Sequence, residues 1–274
     1  MKGHVALVGA GPGDPELLTL KAVKALAQAE VIVHDRLVSE AVLKVAPDTA
    51  MRISVGKEPG KHSYKQEEIN GLLVHLALAG KNIVRLKGGD PFIFGRACEE
   101  IEALEEHGIT WSVIPGITAA QGCAASARVP LTNRGDARSL RLITGHCRAD
   151  QPLELDWQGI ADPGTTLCFY MGHATAPELS RQLIAHGLSP ATPALCISQG
   201  TTPQEKRMFT RLDRLPADLK RASFPGPLLI MVGSAIGWSP SGKLRDEVIS
   251  AIDGAHMDDT AGASRQPRRP GRPG

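Results

Sequence analysis

Residues 83–96 read IVRLKGGDPFIFGR, and the fold is decided here. Ile83 to Leu86 is apolar and β-branched enough for a buried parallel strand, although Arg85 sits awkwardly in it unless the strand end opens on a site. Lys87-Gly88-Gly89-Asp90-Pro91 follows. Two adjacent glycines permit positive φ and leave backbone N–H and C=O groups uncovered, and Asp90 adds a carboxylate. After the apolar patch Phe92-Ile93-Phe94 and a second flexible point at Gly95, Arg96 opens the helical run RACEEIEALEEHG. On that run Arg96 shares a face with Glu99 or with Glu100. Strand, glycine loop and helix in this order form a ligand-binding crest of an open α/β sheet. Local residues alone also allow a tight βα turn with a surface ion pair.

Working outward, the pattern of short apolar strands alternating with helices repeats along the chain. Its 274 residues suit two α/β domains. The expected boundaries are 1–130 for the first, 131–138 for a hinge and 139–245 for the second. A tail at 246–274, basic and nearly free of apolar residues toward its end, is expected to be largely disordered. Net charge is +2 and basic residues do not cluster before that tail, which argues against nucleic acid. The five cysteines are scattered, with no CxxC pair, so neither a disulfide framework nor a metal site is expected. There is no signal-peptide layout and no run of 18 apolar residues, so a cytoplasmic protein without a membrane span is expected.

The first strand, His4–Val8, runs into Gly9-Ala10-Gly11-Pro12-Gly13-Asp14-Pro15-Glu16. This loop imitates a dinucleotide fingerprint and fails it. Asp14 stands where the last glycine belongs, and Pro12 lacks an N–H where a phosphate needs donors. A stiff wall beside a flat or bulky ligand, or simply a stiff turn, fits better. Thr19 caps a helix whose Leu20, Val23, Leu26 and Ala27 recur at helical spacing. His34-Asp35-Arg36 ends the second strand, where α/β ligands bind, although Asp35 and Arg36 could merely pair with each other. Residues 56–65, GKEPGKHSYK, form a polar loop suited to an acidic ligand or to solvent.

Further on, Thr110–Ile114 is a strand ending in Pro115-Gly116-Ile117-Thr118-Ala119-Ala120, which opens a small-residue helix with Thr118 as a natural cap or hydroxyl donor. Strands follow at Ser139–Thr144, Thr165–Tyr170 and Pro193–Ser198, with an antiparallel one at 206–210 and a closing one at Leu228–Val232. Met171 follows a strand and precedes glycine, which leaves core filler and ligand contact both open.

Taken together, VGAGPGDPELLTLKA (8–22), HDRLVS (34–39), RLKGGDPFIFGR (85–96), IPGITAA (114–120), VPLTNRG (129–135), TGH (144–146), FYMG (169–172) and GTT (200–202) resemble the tetrapyrrole methylase family, and within it the uroporphyrinogen-III C-methyltransferases. Departures are His34 for a common tyrosine, Ser198-Gln199 for Glu-Asn, and Gly233-Ser234 for Gly-Glu. The resemblance implies two α/β domains with a cofactor cleft between them. It also implies a homodimer, and methylation of uroporphyrinogen III at C2 and C7 by S-adenosyl-L-methionine, leaving S-adenosyl-L-homocysteine and precorrin-2. It places the cofactor against Pro12, Gly88, Gly89, Asp90, Thr118, Ala119, Met171, Gly200 and Leu228, and the tetrapyrrole against Asp35, Arg96, Glu99 and Arg134. A methyltransferase of a later precorrin and a non-catalytic tetrapyrrole-binding protein are the alternatives. The chain length argues against a bifunctional sirohaem synthase.

Overall fold

The computed structural model describes residues 1–56, 64–146 and 153–238. Most of the 56–65 loop, Cys147 and the C-terminal tail lie outside the described residues.

Five strands form the first sheet: β1 (His4–Gly9), β2 (Val31–His34), β3 (Met51–Ser54), β4 (Ile83–Lys87) and β5 (Thr110–Ile114). Their spatial order is β3-β2-β4-β1-β5 and every pairing is parallel. Parallel neighbours need crossovers, and the helices supply them on both faces. One face packs under α1 (Leu20–Ala27) and α2 (Glu40–Leu43), where Val8, Ile32, Val84 and Leu86 meet Leu26 and Val42. The other packs under α3 (Gln66–Leu78) and α4 (Ala97–Glu106), where Leu7, Val33 and Ile83 meet Leu73 and Leu104. Thr19 caps α1, its hydroxyl accepting from Ala22 N at 3.1 Å. Of the apolar stripe expected on α1, Leu26 is buried, whereas Leu20, Val23 and Ala27 face outward. Leu20 is 82% exposed, and the helix is anchored by Leu26 together with Ala22.

α5 (Ala119–Ala127) follows β5 but buries its small residues against the second sheet. That sheet comprises β6 (Ser139–Thr144), β7 (Thr165–Tyr170), β8 (Pro193–Ser198), β9 (Lys206–Arg211) and β10 (Leu228–Val232), in the order β6-β7-β10-β8-β9. The last strand in sequence is therefore the middle strand in space, antiparallel to both neighbours. Helices α6 (Trp157–Ile160), α7 (Ala176–Ala185) and α8 (Leu215–Ala222) cover one face of this sheet. The other face takes Ala120, Cys123, Ala124 and Ala127 of α5, so one helix ties the two halves together. Residues 133–137 between them close a tight turn: Asn133 N donates to Ala137 O at 3.0 Å and Ala137 N to Asn133 O at 2.9 Å. No helix among the described residues is long and apolar enough to cross a membrane.

Candidate active site

The carboxyl ends of β1, β4 and β5 meet almost backbone to backbone. Gly89 N donates to Gly11 O at 2.8 Å and Gly11 N to Gly89 O at 3.2 Å. A Cβ on Gly116 would stand 2.2 Å from Gly89 O, so only glycine allows this approach. Asp90 fixes the loop from its side: Oδ1 accepts from Phe92 N at 2.9 Å and Oδ2 from Gly116 N at 3.0 Å. Pro12 packs against α5, where a Cβ on Gly122 would meet its ring at 2.4 Å.

The second sheet reaches this crest through Tyr170, at the end of β7. Its phenol oxygen lies 2.6 Å from Thr118 Oγ1 and accepts from Ala120 N at 3.0 Å. Burial pushes the phenol pKa up, so it stays a neutral hydroxyl. The Tyr170 ring also packs on Phe94, with centroids 5.0 Å apart and planes tilted 55°. Thr118 occupies the N-cap position of α5, and of the two roles open to it from sequence its hydroxyl takes the second, bonding to Tyr170 rather than capping the helix. Met171, next to Tyr170, is 52% exposed with φ 57°, and this excludes core filler. Leu228 is buried at the start of β10. Gly200 presses on α5, where its Cβ would fall 2.2 Å from Cys123 Sγ.

The structure thus brings Gly88, Gly89, Asp90, Thr118, Ala119 and Met171 to one crest between the sheets. The half-exposed Phe92 and Met171 offer apolar surface, while the 88–90 backbone and neighbouring oxygens offer polar contacts. This mixture fits an adenosyl group with a charged tail. A cleft of about 360 Å³ opens instead on the far side of the first loop, lined by Asp14, Gly122, Ser126, Thr201 and Glu205, and it does not include the crest.

The charged residues separate into two groups. Arg96, with φ 55°, heads α4 and grips Glu99 with both ends of its fork, at 2.7 and 2.5 Å. The pair is exposed. Hydrogen bonding to Glu99 raises the Arg96 pKa, and the same contact lowers that of Glu99. Glu100, the other partner that helical spacing allowed, is fully buried and serves Arg85 and Lys87. Asp35 pairs not with Arg36 but with Arg85, at 2.6 Å. Arg134 is exposed at the tip of the 133–137 turn, with no hydrogen bond or ion pair to Asp35, Arg96 or Glu99 among the described residues.

Sequence reading missed Tyr170 and the buried cluster. Arg85 and Lys87 alternate in an apolar run, and that spacing signals one shared face; nothing local identifies Glu100 as their partner. No group of three or more potential metal ligands gathers among the described residues.

Residues 4–216 match the family model for Tetrapyrrole (Corrin/Porphyrin) Methylases. A uroporphyrinogen-III C-methyltransferase of Paracoccus denitrificans is 52% identical over 246 residues, 90% of this chain and 86% of that protein. A sirohaem synthase of Azotobacter vinelandii is 48% identical over 90% of this chain, which spans only 52% of that protein's length. The solved uroporphyrin-III C-methyl transferase of Thermus thermophilus in complex with S-adenosyl homocysteine is 39% identical, with a TM-score of 0.73, covering 85% of this chain and 99% of that one. With the motif loops meeting at one crest and the family match running from the first sheet well into the second, the chain belongs to the tetrapyrrole methylases.

Proposed function

We propose that this protein methylates uroporphyrinogen III at C2 and C7, giving precorrin-2 through precorrin-1, with S-adenosyl-L-methionine as donor and S-adenosyl-L-homocysteine as product. The convergence of the Gly88-Gly89-Asp90 loop, Thr118-Ala119 and Met171 around Tyr170 is the observation that carries this reading. The 52% identity with the Paracoccus enzyme supports the substrate. In this reading Pro12, Gly88, Gly89, Asp90, Thr118, Ala119, Met171, Gly200 and Leu228 hold the cofactor, which supplies an activated methyl sulfonium. The lobes 1–130 and 139–245, joined by 131–138, enclose it, and the enzyme works as a cytoplasmic homodimer.

The protein's share of the chemistry is orientation and charge. Arg96 and Arg134 meet substrate carboxylates, for which a guanidinium fork is the matching shape. Arg96 acts as a clamp and not as a base, because Glu99 raises a pKa already too high for proton transfer near neutrality. A carboxylate, Asp35 or Glu99, then receives the proton that the ring carbon loses. Anaerobic incubation with uroporphyrinogen III and labelled methyl donor, followed by oxidation and mass analysis, tests the proposal. Two label equivalents on the ring are expected. Transfer only to a later precorrin, or none at all, would overturn it.

A further inference from the structure

Two basic side chains occupy positions where a parallel strand of an open sheet ordinarily carries aliphatic ones. Arg85 and Lys87 alternate with Ile83 on the face of β4 turned toward α3 and α4, and each is 2% exposed. One carboxylate serves both. Glu100 Oε1 accepts from Lys87 Nζ at 2.7 Å, from Arg85 Nε at 3.0 Å and from Gln66 Nε2 at 3.4 Å. Its Oε2 is buried without a hydrogen-bond partner among the described residues. The far end of the Arg85 fork reaches Asp35 Oδ1 at 2.6 Å, and Asp35 is 31% exposed at the end of β2. One guanidinium therefore joins a sealed carboxylate to one that is partly exposed at the strand end.

Packing alone gives no reason for this layout. Burying charges is costly, and apolar residues of similar volume would hold the strand at least as well. A cluster serving only the core would also bury its members alike, whereas here one is placed at the strand end. Burial by itself would lower the Arg85 pKa, but the charges of Asp35 and Glu100 reverse that and raise it, so the anchor stays cationic. Burial and the neighbouring Arg85 lower the Lys87 pKa. Lys87 also packs against the turn that follows the glycine loop, with Cε 3.3 Å from where a Cβ on Gly95 would stand.

We propose that Arg85 is a positioning residue, fixing the Asp35 carboxylate at the site by anchoring it to Glu100 and Lys87 beneath the glycine loop. The inference rests on the reading of Asp35 as a substrate-facing group.

Three variants of the full chain test it: Asp35→Asn, the double variant Arg85→Met with Glu100→Gln, and Arg85→Lys. The double variant removes one buried cation and one buried anion together, so the net charge is unchanged while the hold on Asp35 is lost, and Lys87 is left with an amide oxygen in place of its carboxylate. Its melting point is expected to fall because Lys87 loses its carboxylate, so turnover is read well below that point, with kcat down by about tenfold or more and the cofactor KM little changed. Arg85→Lys keeps the cation but cannot bridge both carboxylates, and it decides the matter if the double variant does not fold; a loss of the same sign is expected. Parental turnover in the double variant or in Arg85→Lys, with Asp35→Asn inactive, would overturn the role of Arg85 and leave Asp35 standing. Parental turnover in Asp35→Asn would overturn the reading of Asp35 and this proposal with it. A loss that vanishes when the assay is cooled in step with the melting point is a folding effect, and also overturns it.

Discussion

The phenol oxygen of Tyr170 lies 2.6 Å from the hydroxyl of Thr118, joining the end of a strand in the second sheet to the head of α5. The same oxygen accepts from Ala120 N at 3.0 Å. One atom thus holds the Thr118-Ala119 side of the crest against the Met171 side. Tyr170→Phe leaves a buried hydroxyl and a helix N–H short of a partner, at a cost of about 1–3 kcal/mol in stability. Binding of S-adenosyl-L-homocysteine is expected to weaken about tenfold as the two sides lose their common anchor. Denaturant unfolding and calorimetric titration on the same variant check both; unchanged affinity would show that the two sides are held independently.

Met171 is half exposed and carries a left-handed backbone conformation. Removing a buried methionine side chain costs about 2–5 kcal/mol, but little of that applies here. Met171→Ala is expected to shift stability by less than about 1 kcal/mol while weakening cofactor binding several-fold. A large stability loss at constant affinity would argue against its place at the crest.

Arg96 and Glu99 form an exposed pair, worth at most about 1 kcal/mol to the fold. Arg96→Lys should therefore fold and bind S-adenosyl-L-homocysteine normally, yet lose most turnover of uroporphyrinogen III, because the planar fork is gone. Hydrogen bonding to Arg96 holds Glu99 below its ordinary value of 4.5. The pair's small contribution is thus fully present above that value and is lost as pH falls through the lower folded one. The stability difference between parent and variant should shrink under acid, as thermal melts across pH would show.

Gly116 and Gly71 make opposite cases. A Cβ on Gly116 meets Gly89 O at 2.2 Å and Gly9 Cα at 2.8 Å, backbone on both sides. Gly116→Ala is expected to cost about 1–3 kcal/mol and to weaken cofactor binding as the Gly89 loop shifts. At Gly71, inside α3, nothing lies within 4 Å of the added methyl. Gly71→Ala should stabilise by about 0.5–1 kcal/mol and leave binding alone. Chemical denaturation of both variants tests the contrast.

Burial pushes the thiols of Cys123 and Cys168 up to about 12, and that of Cys196 up as well, while Cys98 is exposed. Among these four, only Cys98 should be alkylated by iodoacetamide in the folded protein near neutral pH, and mass mapping of the modified peptides checks this.

The elements were legible because their signals are local. Hydrophobic period, the Thr19 cap and the glycine loop at 88–89 depend on residues adjacent in sequence, and so do the proline and aspartate that disqualify the first loop as a dinucleotide site. The parallel first sheet follows from strands separated by helices. Partner choice was not legible. Arg96 could reach Glu99 or Glu100 by spacing, and Asp35 could reach Arg36. The structure chose Glu99 and Arg85, because α4 turns Glu100 inward over β4 and parallel pairing sets β2 beside β4. The outward turn of Leu20 on α1, the packing of α5 on the second sheet and the central place of β10 are likewise decided by which surfaces meet. The sequence by itself therefore determined the elements, the loops and the family, since backbone propensity and periodicity act over a few residues. Only the tertiary structure decided which charges are buried together and that Tyr170 joins the two sides of the crest, since those contacts cross between separate elements, over 13 and 15 positions for Lys87 and Arg85 with Glu100, 50 for Arg85 with Asp35 and 52 for Thr118 with Tyr170.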